Sequence, residues 1–176
     1  MTAYTLVAAG APINASTAND IIGASLNRVV ARARRTTAKT PITTESGFLR
    51  LDDIPVISGR TYEICTSPLT LDSSVDNEVG VARIRAVQSA SVGTPATTSS
   101  TQLGQMREFQ DANANADLNT IQVYYYPVAD GFLSVLLSAA RITALGTFQF
   151  FASATEPCDL IVRQLGTDPG DTGVSL

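Results

Sequence analysis

Residues 77–87 read NEVGVARIRAV, and this stretch indicates a β-sheet protein. Val79, Val81 and Val87 share one parity, whereas Ile84 and small residues occupy the other. Successive side chains of a strand point to opposite faces of the sheet, so apolar residues of both parities are typical of a strand that is covered on both sides. We therefore expect this strand to lie inside a layered domain.

Similar segments, bounded by Gly, Pro or Asp, lie on both sides of this stretch. They are FLRLDDIPVI (48–57), SGRTYEICTS (58–67), TIQVYYYPV (120–128), GFLSVLLSAARIT (131–143), TFQFFASA (147–154) and CDLIVRQL (158–165). A polar loop is predicted from Ser89 to about Gln105, and loops of this length tend to be functional or to lie on a neighbour. About eight short strands with turn signals between them predict an antiparallel β-sandwich of jelly-roll size.

The segment before these strands predicts an α-helix from about Thr17 to Arg35. Thr17 with Asp20 three residues later resembles a capping box. An apolar stripe follows at heptad positions d, a, d and a, formed by Ile22, Leu26, Val29 and Ala33. Isolated helices of two heptads are marginal in water, so the stripe must be buried. Its partner can be the same domain or copies of the same chain, and the sequence leaves both alternatives open.

These patterns divide the chain into three parts. Residues 1–40 are predicted to form an N-terminal arm, the helix and a Thr-rich linker. Residues 41–166 are predicted to form the β-sandwich, and residues 167–176 a C-terminal tail. The fold class expected from the sequence is therefore mainly β, with a short N-terminal α-helix.

The residue types present exclude most catalytic chemistry. The 176 residues include no His, which removes the commonest general base and the commonest metal ligand. Neither a Walker A loop nor a Gly-x-Gly-x-x-Gly fingerprint occurs. We expect no enzyme, no catalytic residue and no cofactor.

Metal binding is not expected either. Two Cys without His do not supply a closed zinc site. The run DANANADLN (111–119) spaces oxygen ligands as calcium loops do, but Ala116 and Gln122 stand where an EF-hand needs Gly and Glu. We interpret Cys65 and Cys158 as buried free thiols, although the sequence does not settle whether they pair.

The net charge of −4 argues against binding to nucleic acid. The basic cluster, Arg28, Arg32, Arg34 and Arg35, is interpreted as the solvated or partner-facing side of the helix. No secretory signal and no long apolar window is present, so neither export nor a membrane is expected.

Several stretches together resemble virion structural proteins from tailed phages of actinobacteria, a group of minor tail and capsid decoration proteins. The resemblance rests on the order and number of stretches that span nearly the whole chain. They are AGAPINASTAND (9–20), LRLDDIPVISGRTYEI (49–64), ATTSSTQLG (96–104), YYYPVADGFLSVLLSAARI (124–142) and LGTDPGDTGVSL (165–176). The chain departs from the family at IVRQLG (161–166), where an acidic pair is expected before the Gly.

The resemblance implies a non-enzymatic assembly protein that is commonly trimeric and attached to the particle surface. We expect a homotrimer that binds the phage major capsid protein on the outside of the head, assembled in the host cytoplasm. A minor tail or fibre protein that contacts the host surface is the alternative. The interface residues expected are the stripe, together with two arginines that face acidic neighbours: Ile22, Leu26, Val29, Ala33, Arg28 and Arg32.

Overall fold

A computed structural model of the chain describes residues 28–110 and 119–167. These residues form ten β-strands and no helix. The strands are β1 (Arg28–Arg35), β2 (Ser46–Val56), β3 (Arg60–Thr66), β4 (Thr70–Ser73), β5 (Glu78–Ser89), β6 (Thr101–Gln110), β7 (Gln122–Tyr125), β8 (Gly131–Arg141), β9 (Phe148–Phe151) and β10 (Cys158–Thr167).

Eight of the strands form two antiparallel four-stranded sheets. The first sheet has the order β1-β10-β3-β7 and the second the order β2-β8-β5-β6, while β4 and β9 form a separate pair. With β4 and β9 set aside, this order is the connectivity of a jelly roll, in which two Greek keys form a sandwich. The predicted antiparallel β-sandwich is confirmed for the described residues.

The predicted helix is wrong over Arg28–Arg35, which form the edge strand β1. This strand pairs antiparallel with β10, from Arg28 opposite Gln164 to Arg35 opposite Cys158. Residues 31–34 read ARAR, which alternates with period two, and the pairing outweighs the weak helical preference of the segment. The sandwich therefore includes eight residues that the sequence analysis assigned to the N-terminal segment 1–40.

Three other predictions fall on parts of the chain outside the described residues. The arm and the first part of the predicted helix, with Thr17, Asp20, Ile22 and Leu26, precede Arg28. Most of the run that resembles a calcium loop lies in 111–118, and the predicted tail lies almost entirely in 168–176.

The core lies between the two sheets and extends beneath the β4–β9 pair. Its largest buried side chains include Tyr62, Phe148 and Phe150, and the Phe150 ring stacks on Phe48 with centroids 3.7 Å apart. The central strands β3 and β8 are buried on both faces over most of their length. In β5 one face is buried from Glu78 to Ala86, whereas on the other face only Val81 is buried and the remaining residues are half-buried. The double coverage that the apolar residues of 77–87 predicted for β5 is therefore only partial.

The long polar loop is shorter than predicted, because residues 101–105 belong to β6. Residues 90–100 fold over the outer face of the second sheet. The backbone N–H of Gly93 donates to Asp53 Oδ1 at 2.8 Å, the Ser100 carbonyl accepts from Arg85 at 2.9 Å, and Ala96 is buried. The loop therefore lies on its own domain.

The close approach of β5 to the β4–β9 pair depends on a glycine. A Cβ at Gly80 would overlap the Phe148 ring. We therefore expect Gly80→Ala to lower the free energy of unfolding by about 1–3 kcal/mol, the usual cost of overpacking. Gly47→Ala is the matched control, because its Cβ would meet the movable end of the Leu136 side chain at 2.8 Å. Equal stability of the two variants in urea denaturation would contradict this account.

Candidate functional site

The outer surface of β1 carries a charged cluster around Asp159 of β10. Arg32 donates to both carboxylate oxygens at 3.1 and 2.7 Å, and Arg34 does so at 2.9 and 3.1 Å. Residues two apart lie on the same face of a strand, whereas in a helix they are about 200° apart. The strand conformation of β1 therefore allows two arginines to share one carboxylate.

This cluster perturbs the carboxylate strongly. The hydrogen bond from Arg34, with a further contribution from Arg32, lowers the pKa of Asp159 from 3.8 to about 2, although burial opposes the shift. Asp159 is nearly buried, whereas Arg32 and Arg34 remain 46% and 50% exposed. The two guanidinium groups therefore form a basic surface whose charge is partly neutralised by the buried carboxylate of Asp159.

The lowered pKa of Asp159 gives the folded state a pH dependence. The contribution of the ionised carboxylate is fully present above about pH 4 and is lost as the pH falls towards 2. Asp159→Asn should lower the free energy of unfolding at pH 7 by about 1–2 kcal/mol, a value reduced by solvent screening of the arginines. It should also flatten the stability profile between pH 4 and 2. The control is Asp52→Asn, whose exposed pair with Arg50 should contribute less; a steeper acid profile for Asp159→Asn than for wild type would refute the assignment.

The two members of the predicted stripe that the structure describes, Val29 and Ala33, do not share one face of β1. Val29 is half exposed near the start of β1, whereas Ala33 packs against the core of its own domain. Arg28 is exposed, and Arg32 meets the acidic Asp159 of the same chain. Because Ile22 and Leu26 lie outside the described residues, the interface itself stays a prediction.

A second polar network lies on the outer face of the first sheet, around Glu63. Its carboxylate accepts from Arg163 at 2.7 Å and from Gln122 at 2.6 Å. Gln122 also donates to the hydroxyl of Tyr124 at 2.9 Å. Tyr124 and Tyr126 are each half exposed, while Tyr125 points inward and donates to Gln88. The tyrosine run therefore divides between core and surface, as its strand parity requires.

Both cysteines are free and buried, which confirms the interpretation from sequence. Cys158 belongs to the core cluster, whereas the Cys65 sulfur lies 3.5 Å from an Arg163 nitrogen of the outer network. The two thiols thus occupy opposite faces of the first sheet. Burial raises the pKa of Cys65, and burial together with the nearby charge of Asp159 raises the pKa of Cys158 to about 12.

These environments predict that Cys158 is chemically inert in the folded protein. At pH 8 a thiol with a pKa near 12 holds on the order of 10³-fold less thiolate than one near 9, so alkylation of Cys158 in a Cys65→Ser variant should be slower than in denaturant by about that factor. A Cys158→Ser variant gives the matched rate for Cys65. An unreduced mass two units below that of the dithiol would contradict the placement of the thiols on opposite faces.

One end of the sandwich exposes an apolar surface, which we call the loop-end surface. It consists of Ile57, Val92, Tyr126 and Val128, which are between 50% and 92% exposed. Ile57 lies in the β2–β3 turn and Val92 in the β5–β6 loop, while Tyr126 and Val128 lie in the β7–β8 loop. Strand pairing places these connections together, since Val56 is opposite Gly131 and Ser89 is opposite Phe132.

Hydrogen bonds hold the loops of this surface. The N–H of Ser58 donates to Asp130 at 2.8 Å, and its hydroxyl donates to the Val128 carbonyl at 3.3 Å. The Gln88 side chain donates to the Ala129 carbonyl at 2.6 Å. Gly59, with a φ of +74°, completes the β2–β3 turn in a conformation that favours glycine.

Both described termini of the sandwich are near this end. Thr167 pairs with Arg60, which follows the turn that contains Ile57, and Arg28 pairs with Gln164 three residues earlier on β10. Residues 1–27 and 168–176 therefore connect to the sandwich near the loop-end surface.

Other places for chemistry are sparse in the part of the chain that the structure describes. A cleft of about 200 Å³ beside the β4–β9 pair is lined by Pro68, Thr70, Phe151, Glu156 and Pro157. Typical small-molecule sites are larger, at about 300–1,000 Å³. Residues 28–110 and 119–167 contain neither a cluster of three potential metal ligands nor a helix that could span a bilayer.

Comparison with known proteins finds distant likenesses to solved structures. The C-terminal CBM6 of LamC, a marine laminarinase from Zobellia galactanivorans, is 11% identical, with a TM-score of 0.31 over 74% of this chain and 99% of that one. The infectious bursal disease virus Gx strain structure is 13% identical, with a TM-score of 0.27 over 78% of this chain and 37% of that one. No family model and no curated protein matches the sequence. At these identities and scores the likenesses carry no inference about function.

Sequence reasoning missed the loop-end surface and the pairing of β1. The signals for the turns, SGR at 58–60 and PVADG at 127–131, were visible, but their apolar neighbours were interpreted as strand residues. The alternation in VARARR (30–35) could have revealed β1, had it been weighed against the heptad spacing.

Proposed function

We propose that this chain is a virion structural protein of a tailed phage, and specifically a homotrimeric capsid decoration protein on the outer surface of the head. The resemblance of five stretches along the chain to that group supports the proposal. The jelly-roll sandwich is compatible with it, because viral capsid domains include this fold, although a fold alone does not select a function.

The observation that carries the proposal is the position of the two connections. Residues 1–27 and 168–176 join the sandwich at the same end, because β1 starts and β10 finishes there. A sandwich connected at one end can project from a surface while the connected segments bind that surface. Attachment of both segments at one end of the sandwich is the arrangement that a decoration protein needs.

Three copies would bind the major capsid protein more tightly than one. Linking three weak contacts in one trimer raises avidity by about 10² to 10⁴ without a new type of contact, provided that the sites are spaced to match. The role assigned to the Ile22 and Leu26 stripe is to hold the copies together, and the sandwich then serves as a cap.

Leu26→Asp tests this assignment. A charge in the apolar stripe should abolish trimers or head binding, as measured by light scattering and by cosedimentation with phage heads that lack the protein. Ala24→Asp adds the same charge two residues away, outside the stripe, and should leave both intact. Trimers that persist in Leu26→Asp would contradict the role of the stripe.

A minor tail or fibre protein that contacts the host is the second candidate. It is favoured by two half-exposed tyrosines, Tyr124 on the outer face of the first sheet and Tyr126 in the adjoining β7–β8 loop, since aromatic side chains with a polar tip are enriched at binding surfaces. Electron cryo-microscopy of whole particles distinguishes the two functions. Hundreds of copies on the shell are expected for decoration, and a handful at the tail would overturn it.

A further inference from the structure

We propose that the outer face of the first sheet around Tyr124 binds a neutral oligosaccharide. The site consists of Tyr124, Gln122, Glu63 and Arg163, which are joined by hydrogen bonds and which we call the tyrosine network. The inference goes beyond the proposed function, because it depends neither on the trimer nor on attachment to the head.

Strand register shows that these four side chains form one continuous surface. Tyr124 of β7 is opposite Glu63 of β3, and Glu63 is opposite Arg163 of β10. Gln122 precedes Tyr124 by two residues and therefore lies on the same face of β7. Because neighbouring strands are about 4.8 Å apart, the row from Tyr124 to Arg163 is about 10 Å wide. A surface of this width suits a ligand of one or two sugar rings.

Hydrogen bonds hold the aromatic ring of this surface in place. The Gln122 amide donates to Glu63 at 2.6 Å and to the Tyr124 hydroxyl at 2.9 Å, and Arg163 donates to Glu63 at 2.7 Å. The Tyr124 ring is thus fixed at both ends, by the backbone and by its hydroxyl, while the residue is 50% exposed. A side chain held in this way loses little conformational entropy when it binds a ligand.

The tyrosine network keeps hydrogen-bonding groups for a ligand. Among the described residues, nothing donates to Gln122 Oε1, and the Tyr124 hydroxyl proton and Arg163 Nε and Nη2 have no acceptor. A sugar hydroxyl both donates and accepts, so neighbouring hydroxyls of one ring match an acceptor that lies beside donors. The C–H groups of the same sugar ring carry a small positive charge and suit the negative face of the tyrosine ring.

The balance of charge favours a neutral ligand. The Arg163 guanidinium is matched by the Glu63 carboxylate, so the tyrosine network carries no net charge. The excess positive charge of this sheet face lies on β1, where Arg32 and Arg34 share Asp159. A charged ligand would remain without a counter-ion at the tyrosine network, whereas an uncharged, hydroxyl-rich ligand needs none.

The composition of the surface favours a sugar chain over a protein partner. Stable protein contacts bury about 800 Å² on each partner around an apolar centre. Here a single aromatic ring has polar neighbours along β7 and across β3 and β10. The site lies on a sheet face, so inner rings of a sugar chain can lie across it as well as chain ends.

Titration of the full chain with neutral hexasaccharides, followed by NMR of the isotopically labelled protein, tests the inference. The probes are cellohexaose, maltohexaose and mannohexaose, with polyglucuronate as an acidic polymer for comparison. At least one neutral probe should bind with a Kd on the order of 1 mM or tighter, since a small open site buries little area. The largest shift changes are expected at the amides of Tyr124, Glu63 and Arg163.

Two results of the titration would overturn the inference. The first is the absence of shift changes at the tyrosine network with every neutral probe up to about 10 mM, tenfold above the weakest expected Kd. The second is polyglucuronate that binds more tightly than each of the neutral probes, because the ligand would then be selected by charge.

Substitutions assign the binding to the ring. Tyr124→Ala should weaken binding of the probe by at least about tenfold, because the stacking surface is lost. Tyr124→Phe keeps the ring and should lose less. The matched control is Ile142→Ala, which truncates a 47% exposed apolar side chain after β8 and should leave the affinity unchanged.

A second variant covers the case in which Tyr124→Ala does not fold, as judged by the dispersion of its amide signals. Gln122 is exposed, so Gln122→Ala should fold. It should still weaken binding severalfold, because it removes an acceptor and releases the tyrosine hydroxyl. Wild-type affinity in the folded variant would overturn the assignment.

Discussion

The antiparallel pairing of β1 with β10 determines the rest of the arrangement. It places Arg28 opposite Gln164 and Arg35 opposite Cys158, so β1 completes the first sheet at its edge. It also aligns Arg32 and Arg34 over Asp159. Without this pairing the first sheet would end at β10, and Asp159 would lose both of its arginine partners. The pairing also sets the end of the sandwich at which the N-terminal segment is attached.

The outer faces of both sheets also carry hydrogen-bond networks, each centred on one carboxylate. Glu45 accepts hydrogen bonds from Arg83, Arg85 and Ser138 over the second sheet, and Glu63 holds Arg163 and Gln122 over the first. The carboxylates lie centrally, and long side chains from adjacent positions cover them. Within these two networks each charged group is paired, which is the condition under which a partly buried charge is tolerated.

Both ends of the sandwich order their loops by hydrogen bonds and leave apolar side chains exposed. Near the end where Glu78 is buried, its carboxylate accepts from Thr143 and from the N–H groups of Leu145 and Gly146. The Leu145 side chain is nevertheless 59% exposed. At the other end hydrogen bonds also order the loops, and Val128 stays in solvent. At both ends the hydrogen bonds stabilise the loop backbone but do not bury the apolar side chain.

The β class and seven of the ten strands could be predicted from the sequence, because alternation and turn residues are local signals. Strand β5 was recognised from its two apolar faces, and the parity of the tyrosine run was consistent with Tyr125 inside and Tyr124 outside. The sequence did not predict β1, β4 or β6, for a different local reason in each case. β1 carries a heptad-like spacing, β4 is only four residues long, and β6 begins in the polar text TQLGQ (101–105). Local preference was weak in each, and pairing with a distant strand decided the outcome.

The amino-acid sequence by itself determined a layered β protein with two buried thiols, because periodicity and residue chemistry act over a few neighbours. Only the tertiary structure decided that Arg28–Arg35 is a strand, since its partner β10 lies more than 120 residues away along the chain. It also decided which turns meet at the loop-end surface. Ile57, Val92 and Val128 are unremarkable in the sequence, and they come to the same end of the sandwich because β2 and β5 end where β8 starts.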